Sequence, residues 1–211
     1  AKLKAGETVF YSKTNEDIKF VSPVSGEVTE IVRGEKRKIL AVKITADKEQ
    51  AYQENKTLNV SSASADDIKS LLLSSGCWPF VKQRPYDVIA NPAVAPKAIF
   101  VSAYASAPLT ADYDYVLEGK EAELQAAVTA LGKLTDGKVH VSVGAKSNSP
   151  LAGLNGIDLH KVSGPHPSGN VSVQIAQISP INKGEVVWTV TPQDLVIIGE
   201  LLLTGKFNAE R

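Results

Sequence analysis

Methionine is absent from all 211 residues, position 1 included, which reads as an internal start and hence as a piece of a longer protein. Cysteine occurs once, as Cys77. That excludes an internal disulfide framework and a thiolate cluster, and it suits a reducing compartment. Net charge is missing too: 23 basic residues balance 23 acidic ones, so no global field draws the chain onto nucleic acid or anionic lipid. The longest apolar run, LVIIGELLL at 195–203, is broken by Gly199 and Glu200, whereas a membrane span takes about 20 apolar residues. No transmembrane segment is read. The opening AKLKAGETVF has no apolar h-region and no signal-type cleavage site.

The signature loops of nucleotide and acyl chemistry are lacking as well. A dinucleotide fold carries Gly-x-Gly-x-x-Gly after its first strand and an acid about 20 residues on, and that pattern occurs nowhere. The loop at 163–170, SGPHPSGN, has two glycines at Walker spacing. Asn170 and Val171, however, stand where a lysine and a hydroxyl residue must be, and the following VSVQI reads as a strand where a helix is required. Pro165 and Pro167 bring no N–H to an anion, and Ser168 lacks a Gly-x-Ser-x-Gly elbow. The loop therefore reads as a rigid, proline-braced turn before it reads as a ligand-facing one. His140, His160 and His166 lack the short spacings of zinc sites, so no metal site is read. His140, between Val139 and Val141, reads as a hydrogen-bonded surface residue on the polar side of a strand.

What is present falls into three textures. Residues 7–46 alternate on the strand period (TVFYSK, IKFVSP, GEVTEIV, KILAVKI), with turns at Pro23–Gly26 and Arg33–Glu35. This is a small all-β module. The basic run RGEKRK at 33–38 lies in one of its turns and reads as solvated charge first and as a docking patch second. Residues 47–63 are polar and without apolar periodicity, a connector with room for one helical turn. We place a boundary here, with 1–57 the β module and its connector and 58–211 a second domain.

From Ser64 onward the pattern is α/β. Ser64 and Asp67 form a capping-box signature ahead of Ile68, Leu71 and Leu72, and Gly76 ends that helix. A second helix is predicted over EAELQAAVTALGKL, with Leu124, Val128, Leu131 and Leu134 on one face. A third, TPQDLVIIGELLLTG, has Thr191 as N-cap, Pro192 at its first position and Gly205 as C-cap. Strands are predicted at 97–103, 138–143, 157–162 and 171–178. The alternation implies a mostly parallel, Rossmann-type sheet covered on both faces.

Five blocks, SPVSGEVTEIVRGEKRKIL, GCWPFVKQRP, LTDGKVHVSV, SGPHPSGNVSVQI and INKGEVVWTVTPQDLVIIGELLLTGKF, together resemble the A-type subunit of the bacterial sodium-translocating NADH:quinone reductases. That family is similar to the flavin subunit of respiratory complex I and to the C-type subunit of the Rnf reductases. The resemblance implies that the β module is part of a barrel-sandwich hybrid, the fold of lipoyl and biotinyl carriers. The carriers' lysine sits between methionines; here the hairpin reads VRGEKRKI, so no such modification is expected. It also implies a peripheral position on the cytoplasmic side of the bacterial inner membrane, the fragment being soluble by itself, with the other subunits as partners.

The flavin relatives cradle the flavin phosphate with a glycine-rich loop after the first helix, where this chain has GCWPFVKQRP. Bulky rings and prolines replace small residues and N–H donors, and the inherited pocket is expected to be closed. No cofactor is therefore assigned to the chain; NAD, FAD, FMN, iron–sulfur and quinone are expected in the complex through other subunits. Trp78, Phe80, Arg84 and His166 are the candidate contacts for a quinone or a partner: rings against a ring, a guanidinium toward a carbonyl oxygen. No residue is assigned to catalysis. Two alternatives stand beside this reading, a flavin- or dinucleotide-binding oxidoreductase domain and a non-catalytic scaffold module.

Overall fold

The computed structural model describes residues 1–210. Five strands come first: β1 (Lys2–Leu3), β2 (Thr8–Tyr11), β3 (Lys19–Val21), β4 (Gly26–Arg33) and β5 (Ile39–Ala46). β4 and β5 form a long antiparallel hairpin whose turn holds a short 3-10 segment at Glu35–Arg37, and β1 lies antiparallel on the other side of β4. β2 and β3 form a second hairpin, with the rings of Phe10 and Phe20 stacked at 4.7 Å. This hairpin reaches the main core through Ile18, Phe20 and Val21.

The connector is extended rather than helical along most of its length. It makes isolated bridges from Tyr52 to Ala5 and from Glu54 to Lys206, and one turn of helical type, in which Ala63 N–H donates to Asn59 O at 2.9 Å.

Beyond it lie α1 (Ala65–Ser74), β6 (Lys82–Arg84), β7 (Val88–Ile89), β8 (Ile99–Ser102), α2 (Tyr113–Val116), α3 (Glu121–Gly132), β9 (Val139–Gly144), β10 (Asp158–Val162), α4 (Val171–Ile178), β11 (Val187–Thr189) and α5 (Pro192–Thr204). The sheet order is β10-β9-β8-β11-β6-β7. β10, β9, β8 and β11 run parallel, while β6 and β7 add an antiparallel edge. Ile99 and Val101 of β8 and Val139, Val141 and Val143 of β9 join α1, α3 and α5 in one large core. The opposite face holds a smaller cluster in which Ile175 of α4 packs on Ala98, Phe100 and Val187.

The predicted caps are all present. Ser64 and Asp67 bond reciprocally at the start of α1, and Thr191 accepts from Asp194 N–H at the start of α5, which Gly205 closes in the left-handed conformation. Gly76 has φ +78°, and a Cβ there would meet Val21 Cγ1 at 2.5 Å. Only glycine both ends α1 and admits the β2–β3 hairpin at this point.

β6, β7, β11 and α2 are not among the predicted elements, and one predicted element changes type. Residues 171–178 form helix α4, not a strand. VSVQIAQI satisfies the period of 2 and also places Val171, Ile175 and Ile178 at helical spacing, and the packing of those three against the sheet selects the helix.

Candidate functional site

A cavity of about 600 Å³ opens at the carboxyl ends of β8 and β11. β8 is followed by α3 and β9 on one side of it, whereas β11, entered through α4, lies on the other. The cavity thus occupies the switch point of the sheet, where α/β folds bind their ligands, and its volume is that of a small-molecule site. Its walls come from five places: Ser102 and the stretch Tyr104–Ala107 after β8; Thr110 and Tyr113 at the start of α2; Gly169 to Ser172 at the start of α4; Thr189 to Pro192 and Asp194 at the start of α5; and Phe80, Lys82, Arg84 and Asp87 at the antiparallel edge. The expectation of a closed pocket is therefore corrected. The bulky rings close nothing, because Trp78 points into the core and Phe80 lines the wall.

Trp78 is 0% exposed, inside the 3-10 turn Trp78–Phe80, and donates its indole N–H to Ala90 O at 2.7 Å. Its ring meets that of Trp188 edge-on at 5.4 Å. It does not line this cavity and offers no exposed surface, so its place among candidate contacts is withdrawn. Phe80 is half-buried, stacked on Phe207 at 6.1 Å, and lines the cavity. Arg84 lines it too, held by Ser172 Oγ at 3.0 Å and by Asp87 at 3.3 Å. Two tethers fix that guanidinium before any ligand arrives.

His166 is exposed on its loop, and its Nδ1 lies 3.2 Å from Ser106 Oγ, a wall atom. It therefore stands at the rim. The loop is fastened from both sides: Tyr104 Oη donates to Gly164 O at 3.0 Å, and Gly169 N–H donates to Ser106 Oγ at 2.8 Å. Since α4 is a helix, the loop does precede a helix N-terminus, which removes that objection to an anion cradle. The missing lysine and hydroxyl residue and the two prolines still stand against it, and the bonding of the loop adds a further reason. The N–H groups of Ser168, Gly169 and Asn170 already donate to Pro165 O, Ser106 Oγ and Pro167 O, so they do not converge on an anion.

Tyr104, Lys82 and Tyr113 line the cavity without having been singled out. Tyr104 carried no signal in sequence, because its direction depends on where the chain after β8 turns. Asp112, by contrast, has a structural role: its carboxylate accepts from Asp114 N–H and Tyr115 N–H and caps α2.

His140 is corrected as well. It does alternate away from Val139 and Val141, but only 8% of it is exposed, because the Phe100 ring lies 4.6 Å from its own. Its Nδ1 is 3.0 Å from His160 Nε2 and 3.4 Å from Asp158 Oδ2. Burial first, and then the neighbouring His160, hold its pKa below the ordinary histidine value, against the pull of Asp158.

Fold and cavity together define a Rossmann-type α/β domain joined to a small all-β module, with an open crevice at the sheet's switch point. The chain belongs to the NqrA family: residues 63–207 match the family's second alpha/beta domain and residues 1–47 its N-terminal barrel-sandwich hybrid domain. It is 33% identical over 211 residues to the A-type subunit of the Na(+)-translocating NADH-quinone reductase of Neisseria meningitidis serogroup A, covering 99% of this chain and 47% of that one. Similarity to the corresponding reductase subunits of Cellvibrio japonicus (32% identical, 100% of this chain, 47% of that one) and Pasteurella multocida (29%, 99% and 47%) has the same extent. The chain thus spans about half the length of these relatives. No described helix is long and apolar enough to cross a membrane.

Proposed function

We propose that this chain is a portion of the A-type subunit of a sodium-translocating NADH:quinone reductase. In this reading it is a peripheral, cofactor-free element on the cytoplasmic side of the bacterial inner membrane, providing docking surface to the other subunits and a cavity that receives a quinone ring. The two family domains in tandem across the chain carry the reading. The reaction passes electrons from NADH to quinone and couples them to sodium export; the redox groups belong to other subunits, and this chain binds and orients. Support for the cofactor-free part comes from the loop before α4, where the N–H groups of Ser168, Gly169 and Asn170 are already bonded within the protein and Pro165 and Pro167 bring none. Support for quinone contact comes from the cavity wall, where Phe80, Tyr104 and Tyr113 offer rings and the tethered Arg84 offers N–H groups to a carbonyl oxygen.

The test uses the assembled complex with Phe80→Ala, Arg84→Ala and His166→Ala, and reads assembly and quinone reduction separately. A quinone KM raised about fivefold or more, as loss of roughly 1 kcal/mol requires, with assembly intact, supports the contact. An unchanged KM in the assembled variants removes it. Flavin released in stoichiometric amount on denaturing the purified protein would overturn the cofactor-free reading in favour of a flavin-binding domain.

A further inference from the structure

Outside the cavity walls, on the α4 side of the sheet, the parallel pair β9–β10 brings three potential ligands together. His140 and Asp158 are direct neighbours in the register, and His160 is the next residue of β10 on the same face. Because strand side chains alternate with period 2, the Asp-x-His of residues 158–160 necessarily presents both groups to one side, and His140 faces them across the ladder. The ligand atoms of all three lie within 4.8 Å of one another.

We propose that His140, Asp158 and His160 form a binding site for a divalent cation of the zinc class. Ligands about 2.0 Å from a tetrahedral ion lie about 3.3 Å from each other. The His140 Nδ1–His160 Nε2 separation is 3.0 Å and the His140 Nδ1–Asp158 Oδ2 separation is 3.4 Å. Two imidazole nitrogens and one carboxylate oxygen are a donor set of intermediate softness, suited to zinc, cobalt or nickel rather than to magnesium or calcium.

The site is also partly built. His140 is buried against the Phe100 ring, which fixes its plane, while Asp158 and His160 are half-buried and open to entry. On the same face, at the register of His160, Ser142 Oγ is buried without a hydrogen-bond partner among the described residues, so the neighbourhood is not closed in its polar bonding. Lys138 Nζ, 3.3 Å from Asp158 Oδ2, competes for the carboxylate. It is on an exposed, flexible stem (70% exposed) and can swing into water. Three protein donors leave a fourth coordination position for water or for a donor from a docking partner. The ion would fasten β10, the edge strand, to β9.

The experiment titrates the chain with Zn²⁺ against a chromophoric chelator and with Co²⁺ by visible absorption, Mg²⁺ being the control. One equivalent of Zn²⁺ is expected, with a cobalt spectrum of tetrahedral intensity and no response to Mg²⁺. His160→Asn and Asp158→Asn, which alter half-buried groups and leave His140 packed, should each weaken binding at least about tenfold, with circular dichroism confirming that they fold. His166→Ala should bind as the parent does, and Lys138→Ala at least as tightly. Absence of a stoichiometric equivalent, affinity unchanged in both His160→Asn and Asp158→Asn, loss of binding in His166→Ala, or weaker binding in Lys138→Ala would overturn the proposal.

Discussion

The indole N–H of Trp78 donates to the Ala90 carbonyl at 2.7 Å while the ring stands edge-on to Trp188 at 5.4 Å. This pair joins the turn after α1, the end of β7 and the centre of β11 in one buried knot. Trp78→Ala should therefore cost about 3–5 kcal/mol of stability. Trp78→Phe should cost about 1–3 kcal/mol, because the Ala90 carbonyl loses its buried donor. Urea unfolding checks both, and a Trp78→Ala loss under about 1 kcal/mol would contradict the burial described.

Gly199 offers a sign test. In an exposed helix, Gly→Ala stabilises by about 1 kcal/mol. Here a Cβ would run into the backbone oxygen of Glu123 in α3, where nothing flexible can yield. Gly199→Ala is expected to lower the thermal midpoint as α3 and α5 are forced apart, and a raised midpoint would refute the close approach.

At α1, hydrogen bonds from the Ser64 side chain and then its backbone hold the Asp67 carboxyl below its ordinary value. The unfolded chain therefore takes up this proton first as pH falls, so the contribution is full above the ordinary carboxylate value and lost as pH drops through the lower folded one. Ser64→Ala should cost about 1 kcal/mol at neutral pH, and the variant's stability should decline less than the parent's over that acid range. Parallel pH curves for the two proteins would argue against the reciprocal cap.

Cys77 is fully buried, and burial pushes its thiol up to about 12 from 9.0. Thiolate is the reactive form, so a disulfide reagent at neutral pH should label the native chain only on unfolding. The folded state keeps the proton that the unfolded state releases, so stability should fall as pH rises from 9.0 toward about 12. Rapid labelling of the native protein would show that the thiol is reachable.

The elements whose ends carry caps were legible from local sequence: Ser64, Asp67, Thr191, Pro192 and Gly205 announce their helices through backbone chemistry that needs no neighbours. α4 was not, since eight residues that satisfy both periods are decided by what they pack on. The cavity was half legible. Phe80 and Arg84 line it, but the direction of Trp78 is set by the Ala90 carbonyl twelve residues on. His140 and His160 lie twenty residues apart and meet only because β9 and β10 pair in parallel, a relation that spacing rules for local ligands do not contain.

The connector's stitching to the end of α5 bears on how such a chain is made. Asn55 N–H and its Nδ2 both donate to Gly205 O, across a separation of 150 residues, and Glu54 bridges Lys206. A nascent chain leaving the ribosome presents Asn55 long before Gly205 exists. The early hairpins must then wait with this edge unsatisfied while the whole α/β sheet is synthesised, and such long-range closure slows folding. During that interval the segment around Asn55 is open to chaperones or to premature pairing with another chain's strands.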